Sequence, residues 1–205
     1  MPLLLDNVPV NPTGLTLGDA LQAGRAAAEG NGRIVVEIFL DQAAIDPDEL
    51  RRRSEAPLGE AELKLTSVRP AALVRSTLHD VAEAIEKVKQ DQTAAAEALQ
   101  QGRLDEAMAF LSALLPVWEQ VQRATEYSTA IMGWSLDELE VKTAGGTIKI
   151  ADEITRLVTT LGEIKRSLQA RDWAGLSDVL AFDLDEQAQR WRMLLSALAA
   201  TAAKA

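Results

Sequence analysis

The stretch QGRLDEAMAFLSALLPVWEQVQ, Gln101 to Gln122, decides how this chain is to be read. Leu104, Met108, Leu111, Leu115, Trp118 and Val121 recur in steps of three and four, and the pattern runs on through Thr125, Ser128 and Met132 with one offset. That is the spacing of a helix with one face buried. Pro116 stands inside it. A proline in a helix interior removes one backbone hydrogen bond and costs about 3 kcal/mol, so a kink is expected there. Trp118 lies on the seam and is read as core, with Leu111 and Leu115 facing inward beside it.

The pattern repeats on both sides. Upstream, Val74, Leu78, Val81, Ile85, Val88, Gln92, Ala95 and Leu99 alternate steps of four and three, a heptad seam broken only by Gln92. Downstream run Ile150, Ile154, Leu157, Leu161, Ile164 and Leu168, then Trp173, Leu176, Leu180, Leu184, Ala188, Trp191, Leu195 and Leu198. The joints QQGR, with Gly102 as the stop, and QARD, with Asp172 as a cap, are short, and short joints make antiparallel neighbours. The middle connection, MGWSLDELEVKTAGG (Met132–Gly146), is longer. It is read as holding a short helical turn at Ser135–Glu140, capped by Ser135 with Glu138 three residues on. Residues 69–205 are therefore expected to form an antiparallel four-helix bundle.

Residues 1–68 read differently. They hold five of the seven prolines. RIVVEIFLD (Arg33–Asp41) is a β-branched run bounded by turn residues, expected as a strand buried on nearly both faces. AELKLTSV (Ala61–Val68) alternates at Leu63, Leu65 and Ser67, a strand with one wet face. LLLDNVPV suggests a short hairpin across Asp6-Asn7, with Pro9 unable to donate to a ladder. Two helices lie between: one capped by Thr16 and closed by Gly30, one with Asp46 as N-cap, Pro47 as its first residue, and Arg51 to Arg53 at the negative end of its dipole. The fold class is mainly α, α+β overall: a small N-terminal α/β unit of about three strands and two helices over 1–68, packed on the bundle of 69–205. About 65 residues is marginal for independent stability.

Composition narrows the function. The 205 residues are 47% hydrophobic, 25% charged and only 4% aromatic, which suits an aliphatic core between helices. A net charge of −10 repels phosphate, so neither nucleic acid nor an anionic membrane is an expected partner. There is no cysteine, hence no disulfide, thiol nucleophile or cysteine zinc site, and a reducing cytosol is compatible. The opening MPLLLDNVPV lacks a basic segment and its apolar run ends at Asp6, so no signal peptide is expected. No run approaches the roughly 18 apolar residues of a membrane span.

Chemistry-bearing motifs are sparse. His79 is the lone histidine. It shares a helical face with Glu83, and nothing at metal spacing completes a ligand set. AGGT ahead of the third seam reads as a turn rather than an anion cradle. Asp178, Asp183, Asp185 and Glu186 lack calcium-loop spacing and read as a solvated face. Arg51–Arg53 answer the helix dipole. Two apolar residues stay outside the scheme: Phe182, two positions from Leu180 and so off the seam, and Trp134 in the long connection. Either they pack on the N-terminal unit or they mark a partner groove.

The pattern of residues 69–205 resembles the flagellin-specific export chaperones. RPAALVRSTLHDVAEAIEKV is similar to that family's first long helix, with Leu78-His79-Asp80 where the family carries Leu-Tyr-Asp and Arg69-Pro70 where it carries Ser-Pro. GRLDEAMAFLSALLPVWEQVQ is similar to the second helix, GGTIKIADEITRLVTTLGEIKRSL to the third with its Gly-Gly entry, and RDWAGLSDVLAFDLDEQAQRWRMLL to the last with its late tryptophan, here Trp191. The resemblance implies a four-helix protein that binds an amphipathic helical segment in a groove between helices. The resulting expectation is a cytoplasmic, non-enzymatic binding protein, chaperone- or adaptor-like, holding a helical segment of a protein partner. Trp134 and Phe182 are its partner-binding residues, with no catalytic residue, cofactor or metal. A structural homo-oligomer, such as a homodimer, is the alternative, and an enzyme using carboxylates or a divalent metal is a third.

Overall fold

The computed structural model describes residues 2–12, 14, 16–57, 59, 61–143 and 146–204. The chain divides into two compact units, Met1–Leu73 and Val74–Ala205, so the boundary lies inside the first turn of a helix rather than at Val68.

The first unit is built on a mixed sheet. Its strands are β1 (Leu3–Leu5), β2 (Val8–Val10), β3 (Ile34–Leu40), β4 (Ala43–Ala44) and β5 (Leu63–Val68), in the order β2-β1-β5-β3-β4. Five strands replace the three expected. The added β4 exists because Asp41 and Gln42 both take positive φ, a tight turn that folds two residues back on β3. Asp6 and Asn7 make the same kind of turn between β1 and β2, which pair Leu3 with Val10 and Leu5 with Val8. Strand β5 is central, parallel to β1 and antiparallel to β3. Its residues Leu63, Leu65 and Ser67 are buried in alternation, as its sequence pattern anticipates.

Helix α1 (Leu17–Gly30) covers one face of this sheet with Leu17, Ala20, Leu21, Gly24 and Ala28. Thr16 and Asp19 close a reciprocal capping box at its start. Gly24 permits the close approach: a Cβ there would lie 2.1 Å from Cδ1 of Leu65. Helix α2 (Pro47–Arg52) begins as its sequence dictates, with the Asp46 carboxylate accepting from the amides of Asp48 and Glu49 at 2.8 Å. Strand β3 departs from expectation. None of its seven residues is fully buried, and Val36 and Glu37 are exposed. A β-bulge shifts its register on β5 between Val35 and Glu37, and β4 is too short to cover its outer edge.

Ser67 explains itself through a polar staple. Its amide and hydroxyl donate to the two carboxylate oxygens of Asp6 at 2.8 and 2.6 Å, and Arg33 donates from Nε to the Ser67 hydroxyl at 2.7 Å. These bonds, led by those from Ser67 and aided by the Arg33 guanidinium, hold the Asp6 carboxyl below the ordinary aspartate value of 3.8. A depressed carboxyl stabilises the fold above its unfolded pKa, and that contribution is lost as pH falls through the folded value. The Ser67 amide resonance is therefore expected to titrate with a midpoint below 3.8, and Asp6→Asn to abolish that titration. An unchanged Ser67 titration in the variant would sever the link.

The second unit is mainly helical. It contains α3 (Pro70–Gln100, entering from the first unit), α4 (Leu104–Met132), a hairpin of β6 (Glu140–Thr143) and β7 (Gly146–Lys149), α5 (Ile150–Ala170), α6 (Trp173–Asp178), a π-helical turn (Val179–Asp183) and α7 (Leu184–Ala202). Buried residues of all the helices and of β6 form one core. Gln100 to Ser177 at 3.1 Å, Lys89 to Asp185 at 3.1 Å and Glu86 to Arg192 at 2.8 Å show α3 running opposite to α6 and α7. Every residue of the α3 seam is buried, Gln92 included.

Two seams are rotated from the sequence reading. On α4 the buried positions include Ala107, Leu111, Leu114, Trp118, Val121, Thr125 and Ser128, which alternate steps of four and three, with Ala124 and Thr129 buried beside them, while Leu104 and Met108 are exposed and Leu115 only partly buried. On α5 they are Ile150, Glu153, Leu157, Thr160, Ile164 and Ser167, with Ile154, Leu161 and Leu168 only partly buried. Helix α4 continues through Pro116. Pro116 and Ser112, whose carbonyl loses its amide partner, are both exposed, so the gap lies on the solvent side of the helix. The expected helical turn at Ser135–Glu140 is absent: residues 136–138 form a turn closed by the Glu138 amide on the Ser135 carbonyl, and the segment then enters β6. The alternation of Val141 and Ile148 toward the core favours strands there. Among the described residues no helix is long and apolar enough to cross a membrane.

Candidate functional site

The fourth seam holds a detail that its residue numbers already encode. Leu176, Leu180, Leu184 and Ala188 are all fully buried and follow one another in three consecutive steps of four. At about 100° per residue, each step of four advances about 40° around an α-helix unless a step of three compensates. Three in a row would carry Ala188 away from the core. The π turn absorbs the excess: the Leu184 amide donates to the Val179 carbonyl, five residues back, and the wider turn accommodates one extra residue. Leu184 thereby returns to the inward face.

That extra residue displays Phe182. It is 70% exposed, the most exposed large apolar side chain among the described residues, between Leu180 and Leu184, which are both at 0%. Asp178 and Asp183 beside it are exposed. Asp185 is half-buried and pairs with Lys89, and Glu186 pairs with Arg190 at 3.1 Å. The acidic group is a partly paired helix surface.

Trp134 is placed otherwise. Gly133 takes the left-handed conformation, φ 66°, its amide donates to Ala130, and the Trp134 amide donates to the Thr129 carbonyl at 2.9 Å. This double closure puts Trp134 just past the end of α4, where an apolar residue commonly folds back on the last turn. Its side chain is partly buried against the core of its own unit. Trp118 is fully buried.

The core of this unit holds several unpaired polar groups. Among the described residues, Gln92 Nε2 and Oε1, Trp118 Nε1, Trp191 Nε1, Gln187 Oε1 and Glu153 Oε2 are buried without a hydrogen-bond partner. The other oxygen of Glu153, 2% exposed as a residue, accepts from Arg190 at 3.1 Å. Sequence reading singled out Gln92 but treated α5 as an aliphatic seam. Three of that helix's six buried positions are polar.

The remaining motifs fall as follows. His79 and Glu83 are exposed on α3. No group of three or more histidine or acidic side chains among the described residues is arranged to hold a metal ion. Ala144 and Gly145 of the AGGT motif lie outside the described residues, while Gly146 and Thr147 belong to β7 rather than to a helix start. Arg51 pairs with Asp48 and Arg53 with Glu49, all on the surface of α2.

No curated protein and no solved structure matches the chain. Residues 76–194, more than half of the sequence and including the whole of α4, the hairpin, α5 and the π turn, match the family described as Domain of unknown function (DUF8042), and the chain belongs to that family.

Proposed function

We propose that this protein is a non-enzymatic binding protein, chaperone- or adaptor-like, whose second unit is an antiparallel four-helix bundle that holds an amphipathic helical segment of a protein partner. The observation that carries the reading is Phe182, 70% exposed on a π turn between two fully buried leucines. A π turn forfeits regular helical bonding, and such turns concentrate at functional positions. A large aromatic held outward on a rigid helix is the kind of anchor that dominates protein interfaces. The exposed part of Trp134 is the second contact. The acidic balance sets nucleic acid and anionic membranes aside, and the cysteine-free sequence is compatible with a cytoplasmic setting. The likeness to flagellin-export chaperones rests on the sequence pattern and supports the helical nature of the cargo.

A photo-reactive phenylalanine analogue at position 182 is expected to cross-link to one helical segment of one partner. Phe182→Asp should weaken that complex by about 2 kcal/mol, roughly thirtyfold in Kd. Deletion of Phe182 turns the seam into regular alternation of four and three, and is expected to keep the fold while losing the partner. A fully bound partner in both variants would overturn the assignment of this surface. The homo-oligomer reading draws on a different feature, the open edge of β3.

A further inference from the structure

The sheet of the first unit has two edges, and the sequence treats them differently. Strand β2 ends one side. It is three residues long with Pro9 at its centre, which blunts it against further pairing. On the other side β4 pairs only with Phe39 and Leu40, and the Ile45 amide closes on the Ile38 carbonyl at 3.0 Å. Among the described residues, β3 along Ile34–Glu37 has β5 on one side and no strand on the other. This stretch, Ile-Val-Val-Glu, contains no proline or lysine, and Val36 is 41% exposed. A cavity of about 290 Å³ opens beside it, lined by Arg25, Val36, Glu37, Ile45 and Leu50 among others. Arg25 and Glu37 are both exposed, and among the described residues neither side chain has an ion-pair or hydrogen-bond partner.

We propose that two copies of this chain join through this edge, β3 against β3 in antiparallel register across a two-fold axis. A two-fold contact sets one patch against itself, so the patch must be self-complementary. This one is. It carries one unpaired cation and one unpaired carboxylate at the same cavity, and the axis sets Arg25 of one protomer against Glu37 of its partner, twice. The free backbone groups of Ile34–Glu37 find strand partners, and Val36 is covered at the axis. A purely acidic or purely basic segment in the same place would meet one like charge. The bulge at Val36 and the reach of β4 confine the joint to four residues of each strand.

Sedimentation equilibrium on the full chain tests this, and it is independent of the Phe182 surface. The wild type is expected to be a dimer. Arg25→Glu and Glu37→Arg should each weaken it on the order of tenfold in Kd, since each reversal turns two attractive pairs repulsive, and the double exchange should restore it. Val36→Lys should also yield monomer. Both charge variants alter exposed side chains, and far-UV circular dichroism checks that they fold. A wild type that is monomeric at every concentration overturns the proposal. So does a dimer indifferent to both charge reversals.

Discussion

Trp118→Ala is expected to destabilise the second unit by about 3–5 kcal/mol, the range for deleting a large aromatic from a packed core. Trp118 is completely buried, midway along α4, on the inward seam of that helix. Its neighbours on the seam, Leu114 and Val121, are buried as well, so little can close over the void. Among the described residues the indole nitrogen has no hydrogen-bond partner. Trp118→Phe should therefore recover most of the loss, because the smaller ring removes an unsatisfied donor along with part of the apolar area. All four tryptophans lie between residues 118 and 191, so urea unfolding followed by tryptophan fluorescence reports this unit alone. A loss below about 1 kcal/mol for the alanine variant would place Trp118 at the surface in solution.

Gln92→Leu is expected to act in the opposite direction, raising the stability of the same unit by about 2 kcal/mol. Gln92 is 1% exposed, and among the described residues neither atom of its amide has a partner. Burying an amide without hydrogen bonds is costly, and leucine of similar size restores the heptad pattern that Gln92 interrupts between Val88 and Ala95. The urea midpoint should rise with an unchanged slope. A lower midpoint would mean that the amide finds partners in solution and holds the core together.

Much of this fold was legible because local chemistry is explicit at the element ends. Asp46-Pro47, Thr16 with Asp19, Gly102 and Asp172 mark boundaries that backbone hydrogen bonding then respects. Alternation at Leu63, Leu65 and Ser67 gave the buried face of β5 correctly, while Lys64, Thr66 and Val68 on the face expected to be wet are half-buried. What was not legible depends on neighbours. Leu104 and Met108 continue a helical pattern and yet face water, because nothing in a single helix says where its partners end. β6 and β7 were hidden because Glu-Val-Lys-Thr and Gly-Thr-Ile-Lys are short and half polar, and only pairing makes them strands. The partial burial of Trp134 follows from the closure of α4 at Gly133, which sequence spacing does not display.

The candidate site was half visible. Phe182 stood out as off the seam, and it is exposed. The π turn that holds it there went unread, although three successive steps of four among Leu176, Leu180, Leu184 and Ala188 are its signature. The polar stripe of Glu153, Thr160 and Ser167 was masked by the aliphatic residues next to it on α5. Counting which face is more apolar finds the wrong stripe when half of a helix's buried positions are polar.

The parallel pairing of β1 with β5 also sets an order of events. Leu3 aligns with Leu63, so the central contact of the sheet joins residues sixty positions apart, and β3 has no inner neighbour until β5 exists. During synthesis the sheet of the first unit must wait for its last strand to emerge, because neither a hairpin of three-residue strands nor a lone 14-residue helix is stable by itself. Helices α3 and α4 close through a short joint and need no such delay. In a refolding experiment the helical unit should thus gain its tryptophan signal before the sheet completes, and the slow step of the whole chain belongs to its smaller part.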